Sequence, residues 1–199
     1  MNFSIEDLNP IGIQLIHHKV HKDDRGSFSE RWHPLMLQKL NDPYRANGKT
    51  MFLQSNVSRS HRSVVRGLHF QWDKPQSKLV RCIRGSIIDL AVDIRHGSPT
   101  IGQVAEVHLW SDDYQSLWIP AGFAHGFIVT SEYAEVEYAC TATYNSKCEG
   151  AINVWDKMLN IVSLIGLDKL TIMSIRDRTA MSLYEFLYSD IRKVFPYAT

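Results

Sequence analysis

The sequence predicts a mainly β fold, an antiparallel sandwich or barrel with a short helical tail at its C-terminal end. From Ile11 to about Ile161, short apolar or alternating runs are separated by turn residues, and no long helical pattern lies between them. The runs are rich in Val, Ile, Phe, Trp and Tyr, which favour strands. Many short strands at near-regular spacing are typical of two packed sheets or a closed barrel.

The predicted strands follow one another through most of the chain. In order they read IGIQLIHHKV, GSFSERW, MFLQSNVS, SVVRGLHFQ, KLVRCIR, SIIDLAVDI, QVAEVHLW, SLWI, GFIV and AEVEYACTA. The segments DDRG, RGS, HGSPT, SDDYQ and PAG separate them with Gly, Pro, Asp and Ser, which are typical turn residues. The RGLHFQ and KLVRCIR runs are predicted to form a hairpin, with Gln71 opposite Lys78 and His69 opposite Val80.

Two helices are predicted beside the strands. One short helix is expected around Leu35–Leu40. A second is expected near Ala180–Lys193, where apolar residues recur at helical spacing: Leu183, Phe186, Leu187 and Ile191. Because no repeat, low-complexity segment or linker divides the sequence, we expect one domain over residues 1–199. Its β core spans about 11–161 and its helical tail about 162–199.

Composition excludes several classes of partner. The 199 residues carry 22 Lys and Arg against 21 Asp and Glu, a net charge of +1, whereas a general nucleic-acid binder needs a strongly basic surface. No apolar run is long enough to span a membrane, and the opening MNFSIEDLNP does not resemble a signal peptide. Three cysteines without C-x-x-C spacing argue against a disulfide framework or a zinc knuckle. We expect a cytoplasmic protein that binds neither nucleic acid nor membrane.

A histidine and two basic residues interrupt the apolar strands near the middle of the chain. RGLHFQ carries Arg66 and His69, and KLVRCIR begins with Lys78. In the predicted hairpin Lys78 is the diagonal neighbour of His69 on the same face, within reach of one small ligand. The alternative is a core histidine with a partner, beside a lysine at a strand edge. Taken alone, these residues favour that alternative.

The segment WIPAGFAHGF is more specific. Its P-A-G-F-A-H fits the P-x-G-x-x-H pattern of the second cupin motif, in which a turn between two strands delivers a histidine, here His125, into a small barrel. Metal-binding cupins add an H-x-H and a glutamate from the first motif, where this chain has H-F-Q and no glutamate soon after. Because His69 and His125 are fewer than the three protein ligands of a catalytic metal, we expect no metal and no other cofactor.

Two further predicted strands carry polar side chains that interrupt an apolar pattern. Alternation in EVEYAC points Tyr138 inward, where its hydroxyl needs a partner, although a core tyrosine bonded to a backbone carbonyl satisfies the same pattern. Gln54 and Asn56 share one face of QSNVS. Since two unpaired amides are costly in an apolar core, they favour a polar cavity.

The segment DDRGSFSERW near the N-terminus carries Arg25, Phe28 and Glu30. One interpretation is a polar turn followed by an edge strand. The functional interpretation is an arginine for a phosphate and an aromatic ring for a base. The residues alone leave both open.

These motifs occur together in a fixed order: D-R-G-x-F-x-E, Q-x-N-x-S, R-G-L-H-F-Q, Q-x-K-L-V-R, G-S-P-T, W-I-P-x-G-F-A-H-G-F and Y-x-C-T. By them the chain resembles the dTDP-4-dehydrorhamnose 3,5-epimerases, nucleotide-sugar epimerases of rhamnose biosynthesis. The resemblance covers roughly Gly12 to Asp177, and R-G-L-H with P-x-G-F-A-H-G-F is its most specific part. It implies a jelly-roll cupin barrel that forms a homodimer and works without a metal.

The resemblance also implies roles for individual residues. His69 corresponds to the family's base, Asp177 to the aspartate that orients it, Lys78 to its lysine and Tyr138 to its tyrosine. Residues that reach a nucleotide across the dimer interface correspond to Arg25, Phe28 and Glu30. The remaining residues correspond to family residues that contact the sugar, the phosphate or the base: Gln54, Asn56, Arg66, His125, Tyr144 and Glu149.

The implied activity is inversion of C3 and C5 in a nucleotide-diphospho-4-keto-6-deoxyhexose through an enolate. Three departures leave the nucleotide and the sugar open. Ala142 stands where the family often has an aspartate, and residues 144–148 lack the proline that the family commonly has ahead of this glutamate. The tail from Asp156 matches the family only loosely. One alternative is a 3-only or 5-only epimerase acting on a different nucleotide-linked keto sugar. Others are a non-catalytic nucleotide-sugar-binding cupin and a metal-dependent cupin isomerase.

Overall fold

A computed structural model of the chain describes residues 2–43, 48–161 and 171–197. These residues are mainly β, as predicted. The strands are β1 Phe3–Asp7, β2 Gln14–His18, β3 Val20–Asp23, β4 Gly26–Ser29, β5 Gln54–His61, β6 Val65–Gln71, β7 Lys78–Arg84, β8 Ser86–Asp93, β9 Val104–Trp110, β10 Gln115–Ile119, β11 Phe123–Val129, β12 Tyr133–Cys140 and β13 Glu149–Ala151. The short α-helices are α1 Pro34–Leu37, α2 Ile175–Arg178 and α3 Leu183–Tyr188, and 3₁₀ turns lie at Ser111–Asp113, Ser146–Cys148 and Asp190–Val194.

Two antiparallel sheets form the body of the fold. The six-stranded sheet has the order β1-β2-β10-β7-β12-β5, and the five-stranded sheet has the order β13-β6-β11-β8-β9. Strands β3 and β4 form a separate hairpin. Alternation in each strand sends apolar side chains inward, so Val80 and Val136 of one sheet share a buried cluster with Ala91 and Phe127 of the other. The two sheets therefore face one another across one core.

One predicted pairing is wrong. Strand β6, which carries His69, pairs with β11 and β13, whereas β7, which begins at Lys78, pairs with β10 and β12. The link at residues 72–77 crosses from one sheet to the other instead of turning back as a hairpin. His69 therefore does not lie opposite Val80 in a ladder; His69 and Lys78 stand on different walls of the fold.

The C-terminal segment covers the outer face of the five-stranded sheet. Helix α3 begins with a capping box between Ser182 and Glu185 and buries Leu183 and Phe186. The Phe186 ring packs edge-on against Phe70 of β6 with the ring centroids 5.2 Å apart. The backbone becomes extended at residue 189, between α3 and the 3₁₀ turn that follows, so the predicted helix over 180–193 is two short elements.

The other predicted helix is confirmed near its expected place. Helix α1 begins at Pro34, whose fixed φ suits the first helical position, and buries Met36 and Leu37. Together with Leu40 it covers Trp118 and Leu79 on the outer face of the six-stranded sheet. The predicted tail residues 162–170 and 198–199 lie outside the described ranges.

Two glycines allow β6 and β11 to approach closely. Gly67 has φ +116°, and a Cβ on it would lie 2.5 Å from the Gly126 Cα and 2.7 Å from the His125 carbonyl oxygen. Any other residue at this position would force these backbones apart. Because His69 and His125 are direct partners in the same ladder, the close approach fixes the separation of the two histidines.

Candidate active site

A cavity of about 330 Å³ opens between the inner faces of the two sheets. Strands β5, β7 and β12 form one wall, and β6, β11 and β13 form the other. The predicted site residues on its lining are Gln54, Asn56, Arg66, His69, Lys78, His125, Tyr138, Tyr144 and Glu149. Four residues that were not predicted as site residues also line it: Ser58, Gln76, Gly126 and Phe127. Most of the predicted constellation therefore meets in one place.

His69 and Asp177 form a hydrogen-bonded pair at the wall of this cavity. The His69 Nε2–H donates to Asp177 Oδ1 over 2.7 Å, and the Gly67 N–H donates to Asp177 Oδ2 over 3.4 Å. Asp177 is only 4% exposed and lies on α2, whose N-cap is Ser174. Burial raises the pKa of Asp177, but the hydrogen bonds from His69 and Gly67 outweigh it and hold that pKa below its usual range.

The pairing selects one form of the His69 ring. A carboxylate can only accept hydrogen bonds, so the proton shared with Asp177 belongs to Nε2 of His69. The other ring nitrogen, Nδ1, has no hydrogen bond to any residue that the structure describes. In the neutral ring Nδ1 therefore holds a free lone pair, the arrangement that a positioned general base needs.

Lys78 projects from the opposite sheet at the start of β7. Its backbone lies between Ile119 of β10 and Cys140 of β12. In the described ranges its ammonium group has neither a hydrogen bond nor an ion pair. Burial lowers the pKa of Lys78, although the negative charge available to Cys140, Glu149 and Asp89 acts in the other direction. An unpaired cation at the cavity wall is a ready partner for a developing oxyanion.

Tyr138 lies beside Lys78 on the same wall. It is a cross-strand partner of Asn56 and of Val80, and alternation in β12 sends its ring inward, as predicted. Burial, followed by the negative charge available to Cys140, raises the pKa of Tyr138, while Arg66 opposes that shift. The phenol therefore stays protonated at neutral pH, so Tyr138 can donate a proton.

A second histidine pair lies deeper in the fold. His125 Nε2 and Asp89 Oδ2 are 3.0 Å apart, and both side chains are buried. Burial lowers the pKa of His125 more than Asp89 raises it, so the ring is neutral at pH 7. Asp89 was not among the predicted site residues. Its signal in the sequence is an aspartate inside the apolar run SIIDLAVDI, because such a buried charge needs a partner.

Polar side chains of β5 form a ladder along the cavity. The Gln54 amide donates to Asn56 Oδ1 over 2.9 Å, and Gln54 Oε1 accepts the Tyr144 backbone N–H over 2.7 Å. Further along, Ser60 accepts a hydrogen bond from Arg66. The buried Ser58 Oγ has no hydrogen-bond partner among the described residues. As predicted, these groups line a polar cavity; they offer donors and acceptors to a ligand.

A small network closes the rim of the cavity. The Tyr144 hydroxyl donates to Glu149 Oε2 over 2.9 Å, and Arg176 forms an ion pair with the same carboxylate oxygen. Arg176 also donates to the Glu149 carbonyl oxygen over 3.4 Å. Arg176 was not identified from the sequence, because nothing in S-I-R-D-R distinguishes it from a solvated surface arginine.

Three predicted residues lie apart from the cavity within one chain. Arg25 and Phe28 belong to the β3–β4 hairpin, where the Arg25 side chain is 90% exposed and Phe28 is 71% exposed. Arg25 pairs with Asp23, two residues away. Glu30 follows the hairpin and lines a different surface pocket with Phe3. Within one subunit these residues do not complete the site.

The described residues contain no group of three or more His, Cys, Asp or Glu side chains placed to hold one metal ion. His69 and His125 are neighbours in the ladder, but each is hydrogen-bonded to its own aspartate. None of the helices in the described ranges is long and apolar enough to cross a membrane.

Comparison with known proteins assigns this arrangement to a family. The family model described as dTDP-4-dehydrorhamnose 3,5-epimerase matches residues 8–185. Over 150 residues the chain is 43% identical to the dTDP-4-dehydrorhamnose 3,5-epimerase of Salmonella typhimurium, covering 75% of this chain and 79% of that protein. Over 138 residues it is 44% identical to the Pseudomonas aeruginosa protein of the same name, covering 69% of this chain and 73% of that protein.

The chain belongs to the dTDP-4-dehydrorhamnose 3,5-epimerase family. The resemblance drawn from the sequence motifs is therefore confirmed. Solved structures agree with the fold as well. The chain is similar to a dTDP-6-deoxy-D-glucose-3,5-epimerase from Legionella pneumophila in complex with dTDP-4-keto-L-rhamnose, with 34% identity, a TM-score of 0.85 and 99% of each chain covered.

A member with a different name shares the same architecture. A 3'-monoepimerase from Streptomyces bikiniensis, in complex with dTDP-quinovose, has a TM-score of 0.80 and 28% identity, covering 90% of this chain and 87% of that one. Enzymes named as 3,5-epimerases and an enzyme named as a 3'-monoepimerase thus share the predicted jelly-roll cupin fold of this dTDP-4-dehydrorhamnose 3,5-epimerase family member.

Proposed function

We propose that this protein inverts C3 and C5 of a nucleotide-diphospho-4-keto-6-deoxyhexose of the dTDP-4-dehydro-6-deoxyglucose type, as a step in deoxysugar biosynthesis. The observation that carries the proposal is the His69–Asp177 pair on one wall of a cavity whose other wall holds Lys78 and Tyr138. Membership in the epimerase family supports the same substrate class.

His69 is the base in this proposal. A C–H bond next to a ketone is acidic because the carbanion that forms delocalises onto the ketone oxygen. His69 Nδ1 takes the proton from C3 or C5, and Asp177 stabilises the imidazolium and keeps the ring in place. A positioned base of this kind contributes about 10²–10⁴-fold to the rate.

Lys78 stabilises the enolate oxygen. The negative charge at O4 exists only after the proton has left, so the ammonium group binds the enolate more strongly than the ketone. Removing a donor of this kind from other enzymes costs on the order of 10²–10³-fold in kcat. The absence of a carboxylate partner for Lys78 in the described ranges leaves its charge available to the substrate.

Tyr138 returns the proton from the other side. His69 lies on the five-stranded sheet and Tyr138 on the six-stranded sheet, so a sugar ring between them faces the base on one side and the acid on the other. Removal by His69 and return by Tyr138 inverts the carbon, and leaves His69 protonated and Tyr138 ionised. Proton exchange with water restores both groups.

The polar lining and the basic residues hold the rest of the substrate. Arg66 faces the cavity with a neutral hydroxyl as its partner, which leaves its charge for a diphosphate. The remaining proposed contacts to sugar, phosphate or base are Gln54, Asn56, His125, Tyr144 and Glu149.

We also propose that the protein acts as a homodimer. The exposed hairpin residues Arg25 and Phe28, with Glu30 after them, would reach the nucleotide in the cavity of the neighbouring subunit, since they lie outside the cavity of their own. An exposed aromatic ring beside an arginine at a hairpin tip suits a base and a phosphate.

Subunit complementation tests the shared site. The variants His69→Asn and Phe28→Ala are purified separately and then mixed at equal amounts under conditions that exchange subunits. Half of the dimers become mixed, and each mixed dimer has one intact site, so about a quarter of the wild-type activity returns. Activity in the mixture no greater than the sum of the two variants would contradict a site shared between subunits.

The whole chain is one functional unit in this proposal, because the C-terminal tail supplies Asp177 to the cavity of the β core. We place the protein in the cytoplasm. Its described cysteines, Cys82, Cys140 and Cys148, are all free, which suits a reducing compartment.

Exchange of substrate hydrogens with heavy water tests the activity. The protein is incubated in deuterium oxide with dTDP-4-dehydro-6-deoxyglucose, and proton NMR follows the C3 and C5 signals. Loss of both signals and appearance of the inverted sugar are the expected result. Exchange at C3 alone would assign the protein to the monoepimerases. Exchange at neither carbon, with this or the guanosine- and cytidine-linked keto sugars, would refute an epimerase.

A further inference from the structure

Tyr144 lies on a loop that no strand ladder holds. Just outside this loop, Thr141 and Cys148 still make backbone hydrogen bonds to the start of β7 and the end of β6. Between them, the main chain of residues 142–147 forms no backbone hydrogen bond to any strand that the structure describes. We call residues 142–147 the rim loop, because the Tyr144 ring is 51% exposed at the lining of the cavity. The position of the rim loop therefore depends on side chains that bond its main chain.

Three glutamine side chains bond the rim loop. The Gln76 amide donates to the Ala142 carbonyl oxygen over 2.9 Å, and the Gln54 amide oxygen accepts the Tyr144 N–H over 2.7 Å. Both of these glutamines line the cavity, so a ligand can contact them directly. Gln71 is the third, and it is only 5% exposed and is not a lining residue. It can therefore act on a ligand only through the groups that it holds.

Gln71 holds the main chain on both sides of Tyr144. Its Nε2 donates to the Thr143 carbonyl oxygen over 3.1 Å, and its Oε1 accepts the Asn145 N–H over 2.8 Å. The same amino group also donates to two carbonyl oxygens of the crossover at residues 72–77. An amide has two N–H hydrogens, so three acceptors share them. Removing this buried amide leaves main-chain groups of both segments without their partner.

The far end of the Tyr144 side chain is held by the same strand pair. The Tyr144 hydroxyl donates to Glu149 Oε2 over 2.9 Å, and Glu149 is the ladder partner of Gln71. The main chain of Gln71 thus supports the hydroxyl end of the ring through Glu149, while its side chain supports the backbone end. If the backbone end is released, the ring tilts about its hydroxyl and its face no longer points where a ligand needs it.

We propose that Gln71 is a positioning residue that holds the rim loop and thereby orients the Tyr144 ring for binding the nucleotide-linked sugar. The inference rests on the proposed function, which makes Tyr144 a contact of the substrate. That contact is the same before and after proton transfer, so its contribution to binding is uniform along the reaction. Gln71 therefore sets KM and leaves kcat nearly unchanged.

A binding and kinetic test compares Gln71→Met with Gln14→Met. Gln14 on β2 is a matched control, since it is 4% exposed and its amide bonds Asp7 and Asn41. Calorimetry with dTDP gives the dissociation constant, which we expect to rise about 5–100-fold in Gln71→Met, the range for loss of one aromatic stacking contact. KM rises with it, kcat stays within about threefold, and Gln14→Met behaves as the wild type. An unchanged dissociation constant, or a lower kcat at unchanged KM, would overturn the proposal.

A second variant covers the case in which Gln71→Met does not fold. Gln71→Asn keeps a polar amide on β6 but is one carbon shorter, so it cannot reach the crossover and the rim loop together. We expect the dTDP dissociation constant to change in the same direction. A folded Gln71→Asn protein that binds dTDP as tightly as the wild type would overturn the proposal as well.

A double-mutant cycle tests whether Gln71 acts through Tyr144. In a Tyr144→Leu background the ring is already absent, so Gln71→Met costs no further affinity for dTDP. If the two losses in affinity multiply instead, Gln71 does not act through Tyr144.

Amide hydrogen exchange, followed by NMR, tests the inference without a ligand. We expect the Asn145 and Tyr144 amides to exchange faster in Gln71→Met and at the wild-type rate in Gln14→Met. Asn145 donates to Gln71 directly, whereas Tyr144 donates to Gln54, so faster exchange at Tyr144 reports movement of the loop. Faster exchange at Asn145 alone would overturn the inference. If these differences are found and dTDP binds, but no keto sugar exchanges its hydrogens, the proposed function alone is refuted.

Discussion

Replacing Asp177 with asparagine tests the role of the buried pair most directly. The two side chains have nearly the same shape, but the carboxylate only accepts hydrogen bonds while the amide both accepts and donates. The Gly67 N–H points at Oδ2 and needs an acceptor there. In Asp177→Asn the new side chain therefore turns its oxygen to Gly67 and its amino group to His69, which forces Nε2 of the ring to become the acceptor.

The consequence for catalysis follows from the tautomer. With Nε2 accepting from the amide, the ring proton moves to Nδ1, and Nδ1 no longer holds the lone pair that would take the substrate proton. We expect kcat to fall about 10²–10⁴-fold, which corresponds to about 3–5 kcal/mol of transition-state stabilisation. Because the shape is conserved and one charge-assisted hydrogen bond is lost, the free energy of unfolding falls only about 1–3 kcal/mol.

Two measurements check this expectation. Deuterium exchange at C3 and C5 of the sugar gives the rate of proton removal, and urea unfolding gives the stability. Asp190→Asn is the matched control, since Asp190 is an exposed carboxylate of the same tail that pairs only with Lys193 among the described residues. If Asp177→Asn exchanged both carbons within about threefold of the wild-type rate, the reasoning from the tautomer would be refuted.

Three further changes have distinct expected outcomes. Tyr138→Phe keeps proton removal by His69 but loses the acid on the opposite wall. Deuterium exchange therefore persists, while formation of the inverted product falls about 10²-fold or more. An equal loss of exchange and of inverted product would contradict separate roles for His69 and Tyr138. Lys78→Met lowers kcat on the order of 10²–10³-fold, because the enolate oxygen loses its cation. The free energy of unfolding stays the same or rises, because the buried ammonium has no partner in the described ranges. A large loss in stability would show that the charge is structural. Burial, followed by Arg31 and Arg81, lowers the pKa of His18 from 6.5 to about 4. The unfolded chain therefore takes up this proton at a higher pH than the folded one, and between pH 6.5 and pH 4 the unfolding free energy falls by about 3 kcal/mol. His18→Asn removes the part of this pH dependence that comes from His18. Urea unfolding at several pH values measures it. If the unfolding free energy of the variant fell with pH as steeply as that of the wild type, the dependence would not come from His18.

The sequence was sufficient to predict the faces of the strands but not the order of the strands in the sheets. Alternation fixes which side chains point inward, so Tyr138, Gln54 and Asn56 lie in the cavity as predicted. The partner of each strand depends on contacts far along the chain. The pattern predicts a hairpin turn after β6, whereas the Gln71 amide bonds the carbonyl oxygens of Asp73 and Thr143 and directs the chain to the other sheet.

The error in pairing did not separate His69 from Lys78, and the reason is geometric. Both side chains were predicted to share one face of a hairpin, within reach of one small ligand. In the structure each faces the interior from its own sheet, so they meet across the cavity instead of along one strand pair. Strands β1 and β13 were missed because FSIED is largely polar and EGA is too short to show a period.

Hydrogen-bond partners within the site were the hardest part to foresee. Asp89 was visible as a charge inside an apolar strand, but only the register of β8 against β11 shows that it meets His125. Arg176 carries no local signal at all. Its contact with Glu149 depends on how the tail packs on β13, and that packing is set by apolar residues elsewhere in the tail.

The two cations of the cavity differ in the kinetic constant that they set. In the proposed reaction Arg66 faces a diphosphate, whose charge is the same in the keto sugar, the enolate and the epimerised product. Its contribution to binding is uniform along the reaction, which lowers KM without changing kcat. In the same proposed reaction Lys78 faces an oxygen that becomes negative only in the enolate, so its contribution is differential and raises kcat. Neither cation is paired with a carboxylate in the described part of the chain. Because both charges stay available, a protein with a net charge of only +1 can offer a positive cavity to an anionic sugar.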